Sequence, residues 1–173
     1  LNYGKILYDN LPNYSENKIV PLKKEKNKKI KIGFLSADLS GFHPVTYFLK
    51  SILSNYDSNQ MEIFLYLNHT QTKEDSSTND LMKLVNKSCE ILNLSDVEAI
   101  NLIRNDKIDI IVDLMGVTSK NRLSLIKNRV APVQILWCGY CNTTGVKGMD
   151  YIIADPNLVL ENEKKNYSEK IVF

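Results

Sequence analysis

The sequence has little of what marks a membrane, secreted or nucleic-acid-binding protein. No apolar run approaches the roughly 18 residues that a membrane-spanning helix needs, and the start, LNYGKILYDN, does not resemble a signal peptide. Only three cysteines are present, which excludes a disulfide-rich scaffold and favours a reducing, cytoplasmic setting. The formal net charge of +2 is too small to indicate a nucleic acid or an anionic membrane as a partner.

What remains is an ordinary composition in a chain of 173 residues, 43% hydrophobic and 24% charged, which is enough for one domain with a proper core. The chain does not begin with Met and its last residues, YSEKIVF, have the pattern of a strand, so we expect a piece of a longer protein. Residues 1–29 are expected to be a junction and a basic linker. The linker's charge run, LKKEKNKK, has no aromatic residues between the lysines, so a solvated tether is favoured over a nucleic-acid contact.

From residue 30 onward, β-rich runs alternate with helical patterns, which predicts an α/β fold with a doubly wound parallel sheet. SDVEAINLIRND opens with the capping-box pattern Ser95-x-x-Glu98. The helix after the first strand is expected to bury Val45, Phe48, Leu49, Ile52 and Leu53. The predicted strands are 30–38, 61–67, 89–94, 107–115, 131–137, 149–156 and the last residues, and the predicted helices are 43–56, 78–88 (capped by Thr78 or Asn79), 95–106 and 119–129.

Ligands of open α/β sheets bind at the carboxyl ends of the strands. This rule selects three loops, SADLSGFHP, MGVTS and WCGYCNTTG, which should face one crevice. In the first loop, Pro44 fits the first turn of a helix, whose free amides would favour a negatively charged or oxygen-rich ligand. His43 beside them is either a general base or hydrogen-bond donor, or a cap of that helix. His69 is expected at the surface.

The other loop residues have structural alternatives. Gly116 and Thr118 fit a strand-to-helix turn in which Thr118 or Ser119 caps the next helix, and Gly139 and Gly145 fit tight turns. Asp38, Asp113 and Asp155 lie at or just past strand ends, but a metal site would need two or more of them to converge. We expect no metal and no other cofactor.

The stretch WCGYC has the C-x-x-C spacing of a thioredoxin dithiol. A redox dithiol follows an early strand and opens a long helix, whereas Cys138 and Cys141 follow a late strand and precede two glycines without a helical pattern. No second Cys or His pair completes a zinc site. The spacing is therefore interpreted as coincidental.

Four stretches together resemble the catalytic region of the O-linked N-acetylglucosaminyltransferases and their SPINDLY-like relatives. They are KIKIGFLSADLSGFHPVTYFL, DIIVDLMGVTSKNRLSL, APVQILWCGYCNTTG and MDYIIADP, in order and in register from about residue 30 to residue 170. The family typically has VGYVSxDFxxHPV, VDLxGHTxxNRL, APVQVxWLGYPGTTG and MDYxIxD.

The resemblance implies a GT-B-type fold of two Rossmann-like halves with the donor sugar nucleotide between them. Residues 30–173 would be the first half only, and the second half would supply most contacts to the nucleotide. We therefore expect this chain alone to be inactive. Tetratricopeptide repeats that recruit the acceptor polypeptide usually precede such a region.

The resemblance also implies site residues. His43 matches the HP pair beside donor sugar and acceptor and would be catalytic. The substrate-binding matches are Pro44, Thr46, Gly116, Thr118, Gly139, Tyr140, Thr143, Thr144 and Gly145. In departure from the family, Val117 replaces His or Tyr, Cys138 replaces Leu, and Cys141 replaces Pro, which loosens the loop.

The function implied is an inverting transfer of a sugar, N-acetylglucosamine from UDP-N-acetylglucosamine, to Ser or Thr hydroxyls of an acceptor protein. The alternatives are a relative that only binds acceptor protein and, from the C-x-x-C spacing, a dithiol oxidoreductase. The expected partners are the acceptor and the nucleotide sugar, with neither nucleic acid nor membrane.

Overall fold

The computed structural model describes residues 6, 8–14, 28–41, 43–70 and 76–173. Within them lies one seven-stranded sheet in which all neighbours are parallel, in the order β3-β2-β1-β4-β5-β6-β7. The strands are β1 Ile30–Ser36, β2 Met61–Leu67, β3 Lys87–Glu90, β4 Ile110–Asp113, β5 Val133–Trp137, β6 Tyr151–Ile153 and β7 Lys170–Val172. The helices are α1 Pro44–Leu53, α2 Ser76–Lys83, α3 Asp96–Asn105 and α4 Leu123–Lys127, with a 3-10 turn at Lys164–Asn166.

Two apolar clusters cover the two faces of the sheet. Val45 and Leu49 of α1 and Leu81 of α2 pack with one set of strand residues, and Ile100 of α3 and Leu125 of α4 pack with the other set. Strands β1, β2 and β4 are buried on both faces, which explains their nearly continuous apolar sequences. The doubly wound α/β prediction is confirmed, and so is the strand at the end of the chain.

The first helix buries three of the five apolar residues predicted to face the sheet. Val45, Thr46, Leu49 and Leu53 are buried, whereas Phe48 is 59% exposed and Ile52 is 42% exposed. The spacing i, i+4, i+8 of Val45, Leu49 and Leu53 defines one narrow stripe, and Phe48 and Ile52 lie beside it. At 3.6 residues per turn the five apolar residues spread over an arc of about 140°, and the buried face is this arc rotated toward Thr46, so the apolar pattern alone did not define which residues face the sheet.

Several predicted boundaries and caps were wrong. Strand β3 lies at 87–90 instead of 89–94, because its register with β2 ends at the pair Leu67 and Glu90. Thr78 is buried inside α2 instead of capping it, and its hydroxyl donates to the Leu39 carbonyl at 2.5 Å. The helix α2 begins at Ser76, two residues before its predicted start, and residues 71–75 lie outside the described part, as does most of the basic linker.

The helix predicted at 119–129 is only α4, at Leu123–Lys127. Neither Thr118 nor Ser119 caps it. The residue at its N-cap is Arg122, whose side chain makes no capping bond and instead joins Asp96, Asn68 and the carbonyls of residues 91 and 94. Arg122 thus ties α4 to the loops around β2, β3 and α3.

The capping box at Ser95 is confirmed. The Glu98 amide donates to the Ser95 hydroxyl at 3.3 Å, and the Ser95 amide donates to the Glu98 carboxylate at 2.8 Å. No helix of the described residues is long and apolar enough to cross a membrane.

We predict that Ser95→Ala lowers the free energy of unfolding by about 1 kcal/mol, because the Glu98 amide at the start of α3 loses the Ser95 hydroxyl as its acceptor. Urea unfolding followed by circular dichroism measures this. Ser58→Ala, in the exposed turn before β2, is the control and should change stability by less than about 0.5 kcal/mol. Equal effects of the two substitutions would contradict a stabilising role for the cap.

Candidate functional site

The strand order brings the three loops selected from the sequence to one edge. The chain leaves β1 toward β2 on one side, while β4 and then β5 lie on the other side of β1. The carboxyl ends of β1 and β4 therefore flank the point where the strand order reverses, which is where ligands of open α/β sheets bind. The loops after β1, β4 and β5 follow one another along this edge, and we call the space they line the crevice.

His43 is the N-cap of α1. Its backbone is extended, with φ −71° and ψ 135°, and its Nδ1 accepts a hydrogen bond from the Val45 amide at 3.4 Å. The side chain is exposed. A neutral imidazole whose Nδ1 accepts a hydrogen bond carries its proton on Nε2, so His43 in this position offers a donor to a ligand. The bond is long, so it restrains the ring only weakly.

The two residues after His43 that the sequence selected differ in exposure. Pro44 is exposed in the first turn of α1, as its missing amide hydrogen allows. Thr46 is 3% exposed, and its hydroxyl donates to the Asp38 carbonyl at 3.2 Å. This hydroxyl therefore fixes the β1 loop to α1.

The β4 loop is held by a buried carboxylate. Asp113 is 1% exposed, and its two oxygens accept from the amides of Met115 at 3.1 Å and Gly116 at 3.0 Å. Burial raises the pKa of Asp113 to about 7, although the two amide hydrogen bonds oppose this rise. Thr118 closes the loop, since its hydroxyl donates to the Met115 carbonyl at 2.8 Å.

Two glycines let the loops touch. Gly116 has φ +57°, and a Cβ placed there would lie 2.6 Å from the Cβ of Tyr140. A Cβ on Gly139 would overlap the Leu114 carbonyl oxygen and lie 3.5 Å from Cγ2 of Val45. The β4 loop, the β5 loop and the start of α1 are thus in direct contact, and this contact brings together the predicted residues Gly116, Gly139 and Tyr140.

The TTG part of the β5 loop is arranged around a second buried carboxylate. Glu169 is 5% exposed and accepts from the Thr144 amide at 2.8 Å, the Thr144 hydroxyl at 2.5 Å and the Thr143 hydroxyl at 2.7 Å. Gly145 follows with φ +69°, and its amide donates to the Thr143 hydroxyl at 3.2 Å. The polar groups of both threonines therefore face Glu169, which shapes the loop.

Sequence reasoning missed the roles of Glu169 and Arg122 and weighed Asp113 only as a metal ligand. His69, expected at the surface, is 6% exposed, because it directly follows the buried end of β2. For Glu169, the sequence signal was its position directly before the strand at the end of the chain, in YSEKIV. Among the described residues, no group of three or more His, Cys, Asp or Glu side chains is arranged to hold a metal ion.

The cysteines agree with the interpretation that the C-x-x-C spacing is coincidental. All three are free, and β5 is followed by the loop and then β6, so no helix begins at Cys138. Burial raises the pKa of the Cys138 thiol, which is opposite to what a nucleophilic dithiol needs. Cys138 also has φ +70°, an uncommon value for a residue with a side chain.

The fold and the crevice define the chain as a Rossmann-like α/β domain with a ligand edge at the carboxyl ends of β1, β4 and β5. Residues 5–173 match the model of glycosyl transferase family 41, and the chain belongs to this family.

Relatives of known name match between 76% and 99% of the chain. One is a probable UDP-N-acetylglucosamine–peptide N-acetylglucosaminyltransferase SPINDLY of Solanum lycopersicum, 32% identical over 99% of this chain and 18% of its own length. Another is a UDP-N-acetylglucosamine–peptide N-acetylglucosaminyltransferase of Caenorhabditis elegans, 33% identical over 76% of this chain and 11% of its own length. A mutant (K341M) of the Thermobaculum terrenum O-GlcNAc transferase superposes with a TM-score of 0.86 at 31% identity, over 99% of this chain and 32% of that one. The chain thus spans less than a third of each of these proteins.

We predict that Gly116→Ala destabilises the chain more than Gly41→Ala does. Both glycines have a positive φ, +57° and +59°, so both alanines bear the cost of the left-handed region, about 1–2 kcal/mol. Only at residue 116 does the new Cβ meet another group, Tyr140, because nothing lies within 4 Å at residue 41. Urea unfolding of the two variants measures the difference, and equal losses would mean that the β4 and β5 loops are not packed together.

We predict that Asp113→Asn removes part of the pH dependence of stability. The pKa of Asp113 in the folded chain, about 7, lies above that of an unfolded aspartate, about 3.9. Its contribution to stability is therefore complete below about pH 4 and is lost as the pH rises through about 7, by at most about 1.4 kcal/mol per pH unit.

Urea unfolding of both proteins at pH 5, 6, 7 and 8 measures this contribution. Asparagine cannot ionise. The unfolding free energy of the wild type minus that of the variant should therefore fall from pH 5 to pH 7 and level off above pH 7. A difference that stays constant across this range would show that Asp113 ionises in the folded chain as in the unfolded chain.

Proposed function

We propose that this chain is the first Rossmann-like half of the catalytic region of a protein glycosyltransferase. The transferase moves N-acetylglucosamine from UDP-N-acetylglucosamine to Ser or Thr hydroxyls of an acceptor polypeptide, with inversion at the sugar carbon. The observation that carries the proposal is His43, held at the start of α1 where the loops after β4 and β5 meet, in a chain whose relatives are peptide N-acetylglucosaminyltransferases.

In the proposed reaction the acceptor oxygen forms a bond to the anomeric carbon as the bond from that carbon to the diphosphate breaks. The hydroxyl gives its proton to the imidazole of His43, or to another base while His43 orients it, and the diphosphate leaves with the bonding electron pair. Attack from the face opposite the diphosphate inverts the configuration. The chain must therefore orient an uncharged hydroxyl on one side of the sugar and leave the charged diphosphate to groups elsewhere.

His43 suits the hydroxyl side of this reaction. With Nδ1 engaged by the Val45 amide, Nε2–H can donate to an acceptor or sugar oxygen and hold it in line for attack. To act as a general base, His43 would first release the Val45 amide and move its proton to Nδ1, so that Nε2 is free to accept. The length of that hydrogen bond, 3.4 Å, makes such a change inexpensive.

The site residues selected from the sequence offer no cationic side chain to a diphosphate. The carboxyl groups that fix the β4 and β5 loops, those of Asp113 and Glu169, are buried, and the site residues selected from the sequence include no lysine or arginine. Stabilising a departing diphosphate needs preorganised positive groups. This supports the expectation that the chain alone has no transferase activity and that a second half holds the nucleotide.

The transfer itself is tested with the full-length parent, an acceptor peptide pool and separate nucleotide sugars, by intact mass spectrometry of the peptides. We expect peptides heavier by one N-acetylhexosamine only with UDP-N-acetylglucosamine. Transfer of another sugar would overturn the choice of donor. If no donor supports transfer, the parent is instead a relative that only binds acceptor protein.

We predict that His43→Asn in the parent lowers turnover by about 10²–10⁴-fold while stability is retained. Asparagine is a good N-cap residue, so the Val45 amide keeps a partner, but the imidazole is lost. His43→Ala removes both the cap and the imidazole and should lower turnover equally. Unchanged turnover in His43→Asn, together with lower thermal stability in His43→Ala, would show that His43 is only a cap.

A further inference from the structure

Residues 8–14 cross the end of α4 and pack on the domain, and we call them the strap. Residues 8–10 are helical, and the Leu11 amide donates to the Tyr8 carbonyl at 3.2 Å where this turn ends. Tyr8 and Leu11 are half-buried against the apolar cluster on the α3 and α4 side of the sheet, and the other five strap residues are exposed. The strap therefore has only two apolar anchors.

Lys127 holds the helical part of the strap. Its ammonium group donates to the carbonyls of Tyr8 at 2.9 Å and Leu11 at 2.5 Å, and it lies 4.6 Å from the centre of the Tyr8 ring. Carbonyls at the end of a helical turn carry partial negative charge, so a cation is favourable there. One lysine thus binds the strap through two backbone groups and one ring.

Asn128, the next residue, holds the part of the strap that follows the helical turn. Its side chain is buried, and both of its polar atoms bind the strap backbone. Nδ2 donates to the Pro12 carbonyl at 3.0 Å, and Oδ1 accepts from the Tyr14 amide at 2.6 Å. Nδ2 also donates to the Ser124 carbonyl of α4 at 2.8 Å. Asn128 is thus fixed to α4 while it binds the strap.

The strap also contacts the segment that follows Thr144 of the β5 loop. The Tyr8 ring lies 5.9 Å from the ammonium group of Lys147, which comes three residues after Thr144. Gly148 packs directly on the end of α4, since a Cβ there would lie 2.3 Å from the Ile126 carbonyl oxygen. The two lysines that face the Tyr8 ring thus belong to α4 and to the β5 loop, and the strap bridges them.

Buried Gln134 of β5 ties these parts into one packed unit. Its Nε2 donates to the carbonyls of Ile126 at 2.8 Å and Gly148 at 2.6 Å. Between Gly148 and Thr144 lies Val146, which is fully buried and whose amide donates to the Thr144 hydroxyl at 3.2 Å. A continuous path of contacts therefore leads from the strap through the end of α4 to the threonines of the β5 loop.

We propose that the strap controls the order of the β5 loop. The docked strap holds Lys147 and the end of α4, which keeps Thr144 bound to Glu169, and release of the strap loosens this segment. The strap can open by itself because it has few apolar contacts, and such segments open at a lower free energy than the domain core. A contact that favours the released strap would therefore loosen the loop. That this loop belongs to a substrate site rests on the proposed function.

Amide hydrogen exchange of the 173-residue chain tests the inference. Lys127→Met keeps the aliphatic stem but removes both hydrogen bonds to the strap, so the Thr144 and Val146 amides should exchange about 10–100-fold faster. Tyr8→Leu keeps an apolar side chain but removes the ring that faces the two lysines, so exchange about 2–5-fold faster is expected. Asn10→Ala, at an exposed residue of the same strap, is the matched control and should leave both rates unchanged.

The β4 loop distinguishes control of one loop from a general effect on stability. The amides of Met115 and Gly116 are held by Asp113, outside this path of contacts, and should keep their wild-type rates in every variant. Faster exchange at Thr144 and Val146 alone supports the inference.

The inference is overturned if Thr144 and Val146 keep their wild-type rates in both strap variants, or if Met115 and Gly116 accelerate by the same factor. Tyr8→Leu alone decides if Lys127→Met does not fold. The measurement requires no sugar transfer, so a strap without effect on the loop leaves the proposed function intact.

Discussion

Two buried carboxylates that accept from backbone amides hold the ligand edge of this domain together. Asp113 fixes the β4 loop through the amides of Met115 and Gly116, and Glu169 fixes the β5 loop through Thr144. A buried carboxylate without partners would cost several kcal/mol, so these loops and their acids stabilise one another. The loops follow strands of only four and five residues. Without the two acids, the loop amides that donate to them would need buried water molecules as acceptors.

The close approach of the β4 and β5 loops to each other is the second constraint on the ligand edge. Gly116 and Gly139 lie where any side chain would overlap Tyr140 or the Leu114 carbonyl. The contact of Gly139 with Val45 extends this packing to α1, whose N-cap is His43. The position of the one histidine proposed for catalysis therefore depends on two residues that have no side chain.

The sequence predicted the fold because its local signals agreed with one another. The strand at 61–67 was predicted with its observed bounds, since a continuous apolar run lies there between polar turns, and Ser95 and Glu98 specified the start of α3. The stripe of α1 was predicted only in part, because Phe48 and Ile52 are as apolar as the residues that face the sheet.

The sequence selected the loops of the candidate site because each follows a strand end, but it missed the residues that fix these loops from elsewhere in the chain. Gly116, Gly139 and Tyr140 came from motifs at strand ends, and the structure brings them together. Glu169 lies 25 residues from Thr144, and Arg122 lies 54 residues from Asn68. No local pattern indicates such pairs, because they depend on which strands become neighbours.

These contacts imply that the ligand edge is already assembled in this chain, before any ligand or second half binds. Amide hydrogen exchange at neutral pH, resolved by residue, tests it most directly. We expect the amides of Met115, Gly116 and Thr144 to exchange slowly, as the amides of β4 do, while the amide of exposed Asn142 exchanges quickly. Rapid exchange of Met115, Gly116 and Thr144 in a chain whose β4 amides are protected would contradict it.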